Sequence, residues 1–212
     1  MIDPKAVKNE SEKIITAGGG QICDWLPQLD ITEMRDREAI VGRALAMLGL
    51  MHIYFRAPTN IINDWISRVG ATKHLSTWEQ TVLARSYDEL TEQELTKLYW
   101  YIECVWTLMW IGSLIDELPY DSPVYDWMAQ LTPNIQQNED GSKFSAAMRI
   151  RSFDECFRML DIYYRIHWYT QNGQLNGYDT SPVSFDIVME RRKALEWVLD
   201  KELDWDDVPL DT

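Results

Sequence analysis

Between Thr91 and Ile115 the chain carries one long stretch that dictates most of its architecture. Leu95, Leu98, Tyr99, Ile102, Val105, Trp106, Met109 and Trp110 follow one another at three- and four-residue steps, and little polar face is left after Cys104. Thr91 with Glu94 three residues later has the Thr-x-x-Glu form of a helix-starting capping box. A helix that is apolar nearly all round must be covered on all sides, so this segment predicts the central buried helix of a helical domain.

The rest of the chain agrees. Ile40, Ala44, Met47, Leu48 and Met51 recur at helical spacing in a segment that begins near Glu33 and ends by Pro58. Asn60 to Val69 reads as a short helix, and Ser76 with Glu79 forms a second capping box. After the Leu118–Pro123 turn comes a short helix near Val124–Leu131, and then residues 132–143 (TPNIQQNEDGSK) read as a loop. A long helix follows from about Phe144 to Tyr169, with a loop from Asn172 to Pro182 and a last helix from Val183 to Asp200. No segment alternates in the manner of a strand. The expected fold is all-α, a single-domain bundle of six to eight helices with irregular loops. Residues 1–30, with Gly18-Gly19-Gly20 and Trp25-Leu26-Pro27, read as a loosely ordered lead-in to a helical domain spanning 31–212 with an acidic C-terminal tail. The 95–115 and 153–168 segments are expected to pack against each other near the centre.

Composition sets the outer limits. With 212 residues and 46% hydrophobic content the chain can bury a core of its own. No apolar run is long enough to cross a bilayer, and the N-terminus has no apolar signal core. The net charge of −14 argues against binding to nucleic acid phosphates or anionic lipid. Cys23, Cys104 and Cys156 are three and far apart, which fits a reducing compartment, and hence the cytoplasm, better than a disulfide framework. Glu92–Asp126 and Asp179–Thr212 together hold 12 of the 14 net negative charges. They are either solvated faces or a docking surface for a basic partner.

Several polar residues interrupt apolar stripes. Glu103 lies in mid-helix between Tyr99 and Trp106, and a carboxylate buried there must be paired or protonated. Arg43, Arg165 and Arg192 are its expected partners. His167 sits between Tyr164 and Trp168, Asp161 and Arg165 are spaced for a within-helix ion pair, and Glu190-Arg191-Arg192 interrupts the last helix. If Glu103, His167, Arg43, Arg165 and Arg192 met in one pocket, they could supply an acid, a base and guanidiniums for a small anionic substrate. Otherwise they form buried networks that tie the helices together.

Other chemistry finds no footing. The three histidines stand in no zinc or di-iron pattern, no nucleophile elbow or Cys-x-x-Cys pair occurs, and the glycine run lacks the context of a phosphate loop. No metal or cofactor is expected. Among the ten tryptophans, Trp25, Trp127 and Trp205 lie near turns or acidic residues. Trp205, flanked by Asp204, Asp206 and Asp207, and Trp127 are the candidate partner-binding anchors, unless Trp205 instead tucks the C-terminal tail onto the domain.

The C-terminal half also carries a resemblance. Leu160-Asp161-Ile162-Tyr163-Tyr164-Arg165-Ile166-His167-Trp168, then Glu190-Arg191-Arg192-Lys193-Ala194-Leu195-Glu196-Trp197, then Asp204-Trp205-Asp206-Asp207-Val208 and Asp211-Thr212, are similar to the uncharacterised bacterial family called domain of unknown function 4272. Leu26-Pro27, Arg43, Trp78-Glu79, and Glu103 with Trp110 extend the likeness over most of the chain from about residue 22. The resemblance implies no activity. It does pick out Arg43, Glu103, Asp161, His167, Trp168, Arg191, Arg192, Trp205 and Asp206, which overlap the polar residues found from periodicity alone.

Two functional expectations follow. One is a non-catalytic intracellular protein-binding protein that neutralises a basic partner, with toxin immunity its most concrete form. The other is an enzyme acting on a small anionic substrate through the Glu/His/Arg cluster, which requires a solvent-open pocket lined by that cluster.

Overall fold

A computed structural model describes residues 2–211. It is all-helical, with no strand among the described residues. The eight α-helices are α1 (Pro4–Ala17), α2 (Arg37–Tyr54), α3 (Thr59–Arg68), α4 (Thr77–Leu83), α5 (Glu92–Ile111), α6 (Ser142–Ala147), α7 (Phe153–Asn176) and α8 (Phe185–Leu199), and short 3-10 turns punctuate the connections.

The main helices pack in the order α3, α2, α5, α8, α7, α1. The expectation that α5 and α7 would meet directly is therefore corrected: α8 lies between them as the shared neighbour. The helix that starts at Arg37 is also more buried than its stripe implied, since every residue from Ile40 to Met51 is buried. The physical reason is that α2 is covered by α3 on one side and α5 on the other, so no face remains for water. Gly42 makes part of this possible: a Cβ there would lie 2.0 Å from His74 Cδ2, so only glycine lets the 72–74 turn settle on α2.

Residues 4–17 correct the reading of a loose lead-in. The Asp3 side chain accepts from Lys5 N, Pro4 stands at the first helical position, and Val7, Ser11 and Ile15 bury one face of α1 on α7. The predicted loop from Asn172 is also overturned in part. The helix opened by the Ser152–Glu155 capping box runs on to Asn176 and stops at Gly177, whose φ of +73° suits glycine. Its start at Phe153 leaves α6 as a separate single turn and a half ahead of it.

Candidate functional site

Glu79, at the start of α4, is the hub of one buried cluster. As the third residue of a capping box its Oε2 accepts from Ser76 N at 2.8 Å. The same carboxylate receives Arg43 as a two-pronged pair, Nη1 to Oε2 at 2.6 Å and Nη2 to Oε1 at 2.7 Å, and the Tyr101 hydroxyl donates to Oε1 at 2.5 Å. Arg43 Nη1 donates again to the His74 carbonyl at 2.8 Å. Burial beside this carboxylate drives the Tyr101 hydroxyl well above its ordinary pKa. Above the guanidinium lies Trp205, its ring centre 4.2 Å from Arg43 Cζ.

Glu103 belongs to a different cluster. Its expected partners do not reach it; Arg191, the neighbour of Arg192, does. Arg191 Nε donates to Glu103 Oε2 at 2.7 Å. The other two nitrogens hold the loop after α5, Nη1 bonding the Pro119 carbonyl at 2.5 Å and the Tyr163 hydroxyl at 3.2 Å, and Nη2 the Ser122 carbonyl at 2.9 Å. Burial pushes the Glu103 carboxyl above its ordinary range against the pull of Arg191, and it pushes the Tyr163 hydroxyl up to about 12.

Arg192 points the other way, to His167. Its Nη1 lies 2.7 Å from His167 Nδ1, and because a guanidinium only donates, Nδ1 accepts and the ring proton sits on Nε2. Burial and the adjacent Arg192 charge lower the His167 pKa to about 4, so the imidazole is neutral at physiological pH. Nε2 is buried and has no partner among the described residues. Arg192 also bonds Glu196 at 3.1 Å and the Asp211 carbonyl at 3.2 Å, which ties down the end of the tail. Arg165 and Asp161 pair within α7 at 2.8 Å through two bonds, as their spacing predicted, and Arg165 adds the Pro27 carbonyl at 3.1 Å.

The five residues proposed as a catalytic set therefore fall into four separate pairings. Arg43 answers Glu79, Glu103 answers Arg191, Arg165 answers Asp161, and Arg192 answers Glu196 and His167. Among the described residues no group of His, Cys, Asp or Glu is arranged to hold a metal ion. The Cys156 thiol is pushed up to about 12 by burial, and burial raises the Cys104 thiol well above its ordinary value too, so neither is a ready nucleophile.

The two tryptophan anchors part company. Trp205 is 4% exposed, wedged edge-on between Tyr101 and Trp197 and flanked by Arg43 and Lys193. It corrects the reading of a partner anchor: it clasps the tail to the domain. Asp206 has a structural task as well, accepting Trp78 N at the start of α4 at 3.0 Å, while Asp204 and Asp207 are exposed. Trp127 is 42% exposed and stacks on exposed Tyr125 with ring centres 5.8 Å apart, the pair standing over buried Trp106. The residues that sequence reasoning underused are Glu79, read as a cap and as part of the family pattern, and Arg191, noted as interrupting the last helix but not named as the partner of Glu103.

The tail, the 73–77 segment and the approach to α2 enclose a cleft of about 470 Å³ whose walls include Arg35, Arg43, His74, Trp197 and Trp205. A second, of about 510 Å³, lies in the 130–144 loop. Glu103, His167, Arg165 and Arg192 border neither.

The family model described as a domain of unknown function (DUF4272) matches residues 8–208 of the chain, and the chain belongs to that family. No curated protein and no solved structure matches it.

Proposed function

We propose that this member of the DUF4272 family is a non-catalytic protein-binding protein that docks a basic partner on the acidic surface around Trp127, acting inside the cell, with neutralisation of a basic toxin as the concrete form of that role. One observation carries the reading. The 98–142 segment contains no Lys or Arg, and the same segment exposes Asp116, Glu117, Asp121, Asp126, Glu139 and Asp140 as well as the Tyr125–Trp127 stack. Exposed aromatic rings on a segment of net negative charge suit a partner rich in Lys and Arg, through cation–π contacts and steered association. The groups that would serve an enzyme are instead internally paired, which removes the main support for catalysis on a small anionic substrate.

The test is quantitative capture of partners from the native host, comparing the wild-type chain with Trp127→Ala and with Asp121→Asn/Asp126→Asn. A basic protein retained by the wild type, lost with Trp127→Ala and released by moderate salt supports docking here. Identical captured sets for all three proteins would sink it.

A further inference from the structure

Two lysines sit together where α5 packs on α8, Lys97 on the first helix and Lys193 on the second, close enough for the Lys193 charge to bear on Lys97. Both are half-buried, and neither forms an ion pair among the described residues. Lys8, Lys73 and Lys201, by contrast, are paired with Glu12, Glu38 and Glu33. What receives the two ammonium groups instead is aromatic. Lys97 Nζ lies 3.8 Å from the ring centre of Trp78, and Lys193 Nζ lies 4.9 Å from that of Trp205.

Three carboxylates act on Lys97 through the field alone, and each is engaged elsewhere. Asp206 from the tail accepts the Trp78 N–H, and Glu79 from α4 holds Arg43 and Tyr101. Glu190 from α8 accepts the Cys104 thiol at 3.3 Å, and burial raises its carboxyl toward the neutral form. Burial first, and then the Lys193 charge, hold the Lys97 ammonium below the ordinary lysine range against the pull of these carboxylates. A lysine desolvated beside a second cation is one way in which proteins activate an amine as a nucleophile.

We propose that Lys97 is a covalent acylation site, its amine taking an acyl group from a small acyl phosphate. The neutral amine nitrogen attacks the carbonyl carbon, and the N–C bond forms as the C–O bond to the phosphate breaks. The phosphate leaves with that electron pair and takes the proton that the amine gives up. The product amide is uncharged, so the repulsion from Lys193 ends when the bond forms. Lys5, Lys13 and Lys143 are exposed and outside any ion pair among the described residues, which makes them the internal standard for accessibility alone. The proposal does not rest on docking at Trp127.

Acetyl phosphate is the probe, with the occupancy of each lysine in the folded chain followed by peptide mass spectrometry. At pH 7, Lys97 is expected to be acetylated at least about threefold faster than the mean of Lys5, Lys13 and Lys143. That lead should shrink as the pH rises to about 10.5, where ordinary lysines lose their protons as well. Lys193→Gln should lower the Lys97 rate about twofold, and Lys193→Arg, which keeps the charge, should restore it. The pH series on the wild-type chain decides the matter even if Lys193→Gln fails to fold. A smaller lead at pH 7 overturns the proposal, as does a lead that stays constant across the pH series or a Lys97 rate that a folded Lys193→Gln leaves unchanged.

Discussion

Arg43 and Arg191 are both buried arginines paired with a buried glutamate, and they end differently. All three nitrogens of Arg191 are used, on Glu103, Tyr163 and two loop carbonyls, and the cluster is closed by the chain that it holds. Arg43 leaves one nitrogen unanswered, and one wall of its surroundings is Trp205 from the tail, at the edge of a cleft. A guanidinium whose donors are all spent is a fastener. One with a donor left over is an incomplete fastener, and the contrast shows that burial alone does not tell whether a network is closed.

The largest expected effect breaks the Arg43 side. Glu79→Ala strands a buried guanidinium, removes the acceptor of Tyr101 and opens the capping box of α4, so a loss of about 3–5 kcal/mol is expected in chemical denaturation. Glu103→Gln should cost less, about 2–3 kcal/mol, because Arg191 keeps Tyr163 and both loop carbonyls. A cost for Glu103→Gln equal to or above that of Glu79→Ala would show that closure of a network gives no protection.

His167 beside Arg192 gives the comparison a pH axis. The unfolded chain titrates this histidine near its ordinary 6.5, the folded protein near 4. Between those values the unfolded state binds more protons, so this contribution is intact above pH 6.5 and is lost as the pH falls toward 4, by about 3 kcal/mol in all. Burial raises Glu103, Glu190 and Glu196, whose contributions have the opposite slope, so the difference between wild type and His167→Phe is the quantity to measure. A difference that stays flat from pH 7 to 4 would mean that the folded protein accepts the imidazolium.

How much of this could be read from sequence depends on how local the cause is. The capping boxes at Ser76, Thr91 and Ser152 and the Asp161–Arg165 pair lie within a helical turn, and the first two boxes and the pair were legible residue by residue. That Glu103 needed an arginine followed from its position alone. Which arginine did not, because Arg191 and Arg192 are adjacent and diverge by a helical step of about 100°, one toward α5 and the other toward α7. Glu79 shows the same limit: its spacing from Ser76 explained it fully as a cap, and nothing local revealed Arg43 and Tyr101 converging from two other helices. Trp205 stayed open between anchor and tail clasp because acidic neighbours signal exposure while an indole seeks burial, and here the ring is buried with its acidic neighbours exposed.

The tail carries the smallest effects, and they divide its three aspartates. Asp206 accepts the Trp78 N–H at the first turn of α4, where no other carboxylate than Glu79 serves the helix start, so Asp206→Asn should cost about 1 kcal/mol. Asp204 and Asp207 are exposed, and neutralising both should change stability by no more than about 0.5 kcal/mol. The two kinds of variant thus separate what fastens the tail from what charges its surface. If all three substitutions prove equal and small, the Asp206 bond adds nothing to the clasp, and Trp205 under Arg43 and Lys193 holds the segment by itself. If all three are costly, the exposed aspartates take part in the fastening as well, Asp204 through its attraction to Arg35.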